Sequence, residues 1–237
     1  MLLQPTGMAF PTVILPGYLA GAAEYGALEQ TLKAKGIVAF VVPIRWHDWL
    51  QTLGGRSVTP ILRSLDATVK QVLQQYGATK VNLVGHSAGG WLSRIYLGEK
   101  PYCIHPGDTE DCVWNARSSV ATLITLGTPH TSLERWTRKN LDFVNLSYPG
   151  AFYPEVRYVC VAGKAVYGDR FKTWLAYSSY KLTCGQGNCW GDGITPIAAA
   201  HLERAENLVL ENARHSPKSG LWYGSPEMVE RWVGYLK

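Results

Sequence analysis

Residues Gly85-His86-Ser87-Ala88-Gly89 stand between an apolar run, Val81, Leu83 and Val84, and a helix-compatible run from Gly90 to Leu97. Small residues two positions either side of a serine relieve the crowding of a sharp, strained turn from strand to helix. Such a turn lifts the Ser87 hydroxyl above the sheet and places the Ala88 N–H beside it. It needs a strand directly before it and a helix directly after it, and this chain has both.

The flanking sequence repeats that alternation. Thr12 to Leu15 reads as a short buried strand ending at Pro16-Gly17, and Glu24 to Lys35 as a helix closed by Gly36. Ile37 to Val42 is a second apolar strand. Thr59-Pro60 supplies an N-cap and a first-turn proline, and Ile61, Leu65, Val69, Val72 and Leu73 recur at helical spacing up to Gly77. Further strands are read at Val81 to Val84, Ala121 to Leu126, Val156 to Val161 and Asn207 to Leu210, with helices at Pro196 to Ala205 and about Pro226 to Leu236. Continuous apolar strands alternating with amphipathic helices predict an α/β fold, a mainly parallel central sheet with helices on both faces. Insertions fall at about 99–119, 129–155 and 163–191.

At 237 residues the chain has room for one such domain and not for two with linkers. A net charge of +5 without a Lys/Arg block argues against nucleic acid as a partner. No apolar run approaches the length that crosses a bilayer. Met1 to Phe10 lacks the charged and apolar regions of a secretory leader, so a cytoplasmic or organelle-lumen location is expected. The five cysteines contain no C-x-x-C pair. Cys160 reads as a small core residue, and Cys103/Cys112 and Cys184/Cys189 stand at spacings a local disulfide could close, which a reducing compartment disfavours.

A serine hydroxyl is a weak nucleophile near neutrality unless a histidine takes its proton and a carboxylate orients that histidine. The turn resembles that of the α/β-hydrolases, in which the acid and then the base follow the serine in the chain. His47 precedes Ser87, and His86 is inside the turn. His105 and His130 come before every candidate acid, and His201 falls in a predicted helix. His215, in the loop past the last strand, is the favoured base. Asp192, between glycines in Trp190-Gly191-Asp192-Gly193-Ile194-Thr195-Pro196, is preferred as the acid over Asp169, which has Arg170 beside it.

Together Pro16-Gly17-Tyr18, Gly85-His86-Ser87-Ala88-Gly89-Gly90, Leu126-Gly127-Thr128-Pro129-His130, Gly191-Asp192-Gly193-Ile194-Thr195-Pro196 and His215 resemble the lipase and esterase branch of the α/β-hydrolase superfamily. More narrowly they resemble the lipase-like group of GPI-inositol deacylases and small plastid and cyanobacterial hydrolases, which would admit a plastid-stroma-like location. The resemblance implies a Ser87-His215-Asp192 triad that passes through an acyl-enzyme and needs no cofactor or metal. It also implies a second oxyanion N–H from the loop after the first strand. Pro16-Gly17 stands where the family usually has His-Gly, leaving Tyr18 as the expected donor beside Ala88, with Leu19 as the alternative.

From Glu134 to Lys181, 11 of 48 residues are aromatic, against 11 % of the whole chain, and eight Lys/Arg stand against four Asp/Glu. This predicts an apolar acyl pocket or lid over the site, with a basic rim suited to an anionic lipid surface, or else ordinary packing of long loops. Trp46 and Trp49 could line the same cleft or pack in the core. The expected activity is hydrolysis of carboxylic esters of lipid or another apolar acyl substrate. A serine acyltransferase or thioesterase, or a hydrolase-fold binding protein without turnover, is the alternative.

Overall fold

The computed structural model describes residues 9–105 and 112–237. The sequence reading of a leader-free start therefore falls mostly outside the described residues, as does the centre of the insertion at 99–119. In chain order the elements are β1 (Thr12–Leu15), α1 (Gly26–Ala34), β2 (Ala39–Val41), α2 (Thr59–Tyr76), β3 (Val81–His86), α3 (Ala88–Leu97), β4 (Val120–Leu126) and α4 (Arg135–Ser147). They continue with β5 (Arg157–Lys164), β6 (Val166–Tyr167), α5 (Trp174–Cys184), β7 (Trp190–Gly191), α6 (Ile197–Ala200), β8 (Glu206–Glu211) and α7 (Pro226–Trp232).

Six strands pair in the order β2-β1-β3-β4-β5-β8, every pair parallel. Their apolar continuity follows from burial on both faces. Alternate side chains point to opposite sides. Val13, Leu15, Leu83 and Leu123 join the core beneath α2, α3 and α4, and Ile14, Val84, Ile124 and Val161 join the core beneath α1 and α7. On the β8 edge, Glu206 and Glu211 pair with Arg157 and Lys164 of β5 at 2.6 and 3.0 Å, a charged border that discourages further strand addition.

Several elements differ from the sequence reading for local reasons. The second strand shrinks from Ile37–Val42 to Ala39–Val41. Ile37 N–H is drawn back to Leu32 C=O at the end of α1, and Pro43 has no N–H to continue the ladder. The predicted helix from Pro196 to Ala205 stops at Ala200, with His201 extended, because the Asn207 side chain holds both the N–H and the C=O of Leu202 at 3.0 Å. Thr59 is the first residue of α2 rather than its cap, and its hydroxyl meets Ser57 Oγ at 2.7 Å. The first helix begins as a 3-10 turn over Ala22–Tyr25, and the last ends as one over Val233–Tyr235.

Two long connections stand at the carboxyl end of the sheet, where ligands meet open α/β sheets. One runs from β4 into α4. The other leaves β5, forms the β6–β7 hairpin with α5 between its strands, and leads directly to Asp192. Among the described residues no helix is long and apolar enough to cross a membrane.

Candidate active site

Ser87 sits between β3 and α3 at φ 51°, ψ −122°, a conformation costly for a side-chain-bearing residue. Close packing holds it there. A Cβ on Gly85 would lie 2.5 Å from the Gly89 carbonyl oxygen and 2.6 Å from Gly90 Cα, and one on Gly89 would collide with the Leu15 carbonyl. The Ser87 N–H donates to Leu126 C=O at 2.9 Å, tying the turn to the end of β4.

The structure brings the three residues selected from sequence to one point. Ser87 Oγ is 3.0 Å from His215 Nε2, and His215 Nδ1 is 2.7 Å from Asp192 Oδ2. An ionised carboxylate only accepts, so Nδ1 carries the ring proton and Nε2 is free to take the serine's. Asp192 is 2 % exposed. Its Oδ1 accepts the N–H groups of Ile194 and Thr195 at 2.9 and 2.7 Å, and its Oδ2 also accepts the Tyr223 hydroxyl at 2.7 Å. Burial by itself would raise this carboxyl's pKa. The His215 charge and the hydrogen bonds from His215, Tyr223 and Thr195 outweigh it and hold the group below the ordinary carboxylate value. The loop is braced by α5, where Tyr180 Oη accepts Gly193 N–H at 2.8 Å and Ser179 Oγ donates to Ile194 C=O at 2.6 Å. Asp169, the competing acid, is instead at the surface, capping the N–H groups of Phe171 and Lys172 at 2.8 Å each.

A second set of buried groups links His215 to the loop after β1. Gly17 N–H donates to Tyr25 Oη at 2.9 Å, Tyr25 Oη lies 2.7 Å from His86 Nδ1, and His86 Nε2 lies 2.9 Å from the His215 carbonyl oxygen. The carbonyl can only accept, so Nε2 carries the His86 proton and Nδ1 accepts from Tyr25. Burial, and then the positive charge of His215, push His86 down to about 3, so the ring stays neutral. With the Gly17 N–H engaged, the next N–H in that loop is that of Tyr18. A Cβ on Gly17 would stand 3.0 Å from Ser87 Cβ, so this loop lies directly against the serine.

Beside Ser87 opens a cavity of about 190 Å³. Tyr18, Trp49, Trp91, Trp136, Val58 and Pro129 wall it, with Ala88 at the serine end. Thr52, Glu134, Thr137 and Asn140 supply polar groups. The aromatic wall thus comes only in small part from the enriched segment 134–181, which contributes Trp136. Phe143, Tyr148, Phe152 and Tyr153 of that segment stack against one another beside the core, the bland alternative for them. Of the two tryptophans before α2, Trp49 lines the cavity and donates to Ala20 C=O at 2.9 Å, while Trp46 is exposed.

The remaining candidates stand apart. His130 is buried 3.4 Å from Arg94 Nη1, kept neutral by burial and then by that charge. Arg94, itself buried, donates to Asn145 Oδ1 and Tyr148 C=O at 2.9 and 2.8 Å. Cys160 packs in the core, its thiol pushed up to about 11 by burial, and neither Cys184 nor Cys189 is in a disulfide. Among the described residues no cluster of three or more His, Cys, Asp or Glu side chains could hold a metal. Sequence reasoning missed Tyr25, Tyr223 and Tyr180. Nothing in their neighbourhoods in the chain distinguishes them from other buried tyrosines, because each reaches its partner across the fold.

Comparisons with known proteins bear on the family and the fold. Triacylglycerol lipases of Pseudarthrobacter phenanthrenivorans and Burkholderia plantarii are each 30 % identical to the chain over 132 residues, 53 % of its length. The match spans 34 % and 31 % of those proteins, so the chain covers about a third of the curated relatives it resembles. An alpha-beta serine hydrolase homologue from Coxiella burnetii superposes with a TM-score of 0.54 at 12 % identity, over 98 % of this chain and 88 % of that one, a likeness of fold. The sequence profile of the alpha/beta hydrolase fold matches residues 42–230. With the parallel sheet and the serine at the end of its β3 strand, that match settles the family: the chain is an α/β-hydrolase.

Proposed function

We propose that the protein is a serine hydrolase that cleaves carboxylic esters with apolar acyl groups. The observation that carries this is His215 bridging Ser87 and Asp192 at 3.0 and 2.7 Å on a strained strand–helix turn. His215 Nε2 takes the Ser87 proton as Oγ attacks the ester carbonyl. The N–H groups of Ala88 and Tyr18 receive the oxyanion. His215 then gives its proton to the leaving alkoxide as the acyl–oxygen bond breaks. A water molecule, losing a proton to the same nitrogen, attacks the acyl-enzyme, and the acid leaves as Ser87 recovers its hydrogen. Asp192 holds the imidazole in the required tautomer and stabilises its charged form.

The cavity beside Ser87, about 190 Å³ and walled mainly by apolar side chains, supports an apolar acyl group. The test is hydrolysis of p-nitrophenyl esters from acetyl to palmitoyl by the wild type and Ser87→Ala. Serine-dependent turnover is expected, and its chain-length optimum reads the acyl size the cavity accepts. Equal turnover in the alanine variant would sink the assignment. A serine that a phosphonate labels in a protein without ester hydrolysis would redirect it to acyl transfer.

A further inference from the structure

We propose that the outward face of α5, continued by Leu133 and Trp136, docks the protein on an anionic lipid surface beside the mouth of the Ser87 cavity. The helix is apolar on the side where a surface helix is ordinarily charged. Its buried side is Ala176 and Tyr180. At 100° per residue, Trp174, Leu175 and Leu182 fall on the opposite stripe, with Phe171 continuing it ahead of the first turn. These four are 60, 65, 56 and 89 % exposed. The Leu133 N–H donates to Leu182 C=O at 2.8 Å, which joins the approach to α4 onto the same face. Leu133 and Trp136 are also more than half exposed, and Trp136 is a wall of the cavity, so the apolar surface runs from α5 to the site.

The charge around this surface is predominantly positive. Arg170, Lys172 and Lys181 flank the α5 stripe, and Arg135 and Lys139 flank Trp136. Among the described residues none of the five is in an ion pair. The two acids nearby, Asp169 and Glu134, are spent on backbone N–H groups at the starts of turns. Apolar Trp, Phe and Leu framed by Lys and Arg match an interface where rings and aliphatic chains enter the acyl boundary and cations stay among anionic headgroups. Phe171, at 89 % exposure, is the most exposed large apolar side chain of the stripe.

The surface is independent of the ester-hydrolase reading, and its test keeps the two apart. Ser87→Ala protein is sedimented with phosphatidylcholine vesicles with and without phosphatidylglycerol, at low and high salt. Binding to the anionic vesicles is expected, at least tenfold tighter than to neutral ones and weakened by salt. Each cation near such a surface contributes roughly fivefold, so Arg170→Gln, Lys172→Gln and Lys181→Gln combined should weaken binding on the order of a hundredfold. Phe171→Ser with Leu175→Ser should abolish it while hydrolysis of a soluble short-chain ester by the same pair in the Ser87 background stays within twofold. Absence of vesicle binding, equal affinity for neutral and anionic vesicles, or undiminished binding by the Phe171/Leu175 variant would each overturn the proposal. Retention on a polyglutamate column without vesicle binding would assign the face to an acidic protein instead. Anionic vesicle binding by a protein without serine-dependent turnover would support the surface and remove the esterase.

Discussion

At the scale of single residues, the site depends on hydrogen bonds whose two ends lie far apart in the chain. Asp192→Asn removes the carboxylate that fixes the His215 tautomer, and kcat on p-nitrophenyl butanoate should fall on the order of 10⁴-fold. Asp169→Asn, at a surface cap, should change it little, and the reverse result would give the acid's place to Asp169. Tyr25→Phe leaves both the Gly17 N–H and His86 Nδ1 without their buried partner. An unmade buried hydrogen bond costs about 1–3 kcal/mol. Because this one connects the Tyr18 loop to the His215 backbone, kcat should fall about tenfold or more with KM within twofold. An unchanged kcat would reduce Tyr25 to a packing residue. Ser87, Asp192 and His215 were legible in the sequence because each stands in a short context of small or turn-forming residues. Tyr25 and Tyr223 were not, because a buried tyrosine's partner is set by the crossing of elements.

Among elements, the join of β3 to α3 carries the strictest steric demand. Gly89 faces the Leu15 backbone, which no rotamer change can move, so Gly89→Ala must displace β1 or α3. A loss of about 1–3 kcal/mol is expected, read as a lower thermal midpoint, together with reduced turnover from the displaced serine. Gly234→Ala meets nothing within 4 Å and serves as the control, with its midpoint near the wild type's. Equal midpoints for the two variants would show that the turn tolerates a side chain. The strands β1, β3, β4 and β5 were legible as apolar runs because burial on both faces leaves no polar alternation. The ends of β2 and α6 were not, since Leu32 C=O takes the Ile37 N–H, Pro43 offers no donor, and the Asn207 side chain takes both backbone groups of Leu202. The hairpin carrying α5 was visible only as an aromatic, basic insertion, and its work in bracing Asp192 through Tyr180 and Ser179 emerges from the packing.

For the whole molecule, stability should depend on pH through histidines that folding keeps neutral. His86 and His130 are buried, and burial first, then neighbouring positive charge, lowers both, His86 to about 3. Between about 3 and the ordinary value of 6.5 the unfolded chain binds a His86 proton that the folded chain does not. Stability is therefore full above 6.5 and falls as pH drops through that window. Asp192 acts in the same direction at lower pH. Its depressed folded value gives stability present above the ordinary carboxylate range and lost as pH falls below it. From pH 6.5 to 5 His86 should remove about 1–2 kcal/mol, with His130 acting in the same direction, measurable as a falling urea midpoint, with a shallower fall in His86→Gln. A flat profile over that range would mean that the folded protein takes up the protons.

The sequence by itself determined the α/β class, the strained turn at Ser87 and the chain order of Ser87, Asp192 and His215, the residues proposed as nucleophile, acid and base. These are written in local patterns: apolar runs, glycine spacing and the loop positions of Asp192 and His215. Only the tertiary structure decided that Tyr25 and His86 tie the Gly17-Tyr18 loop to His215, that Trp49 and Trp91 wall the cavity with Trp136 alone of the insertion's aromatic rings, and that α5 turns its apolar stripe outward. The physical reason is range. A local pattern fixes what a segment can become, whereas a hydrogen bond or wall between residues over a hundred positions apart, such as His86 and His215, exists only once the sheet has set their distance.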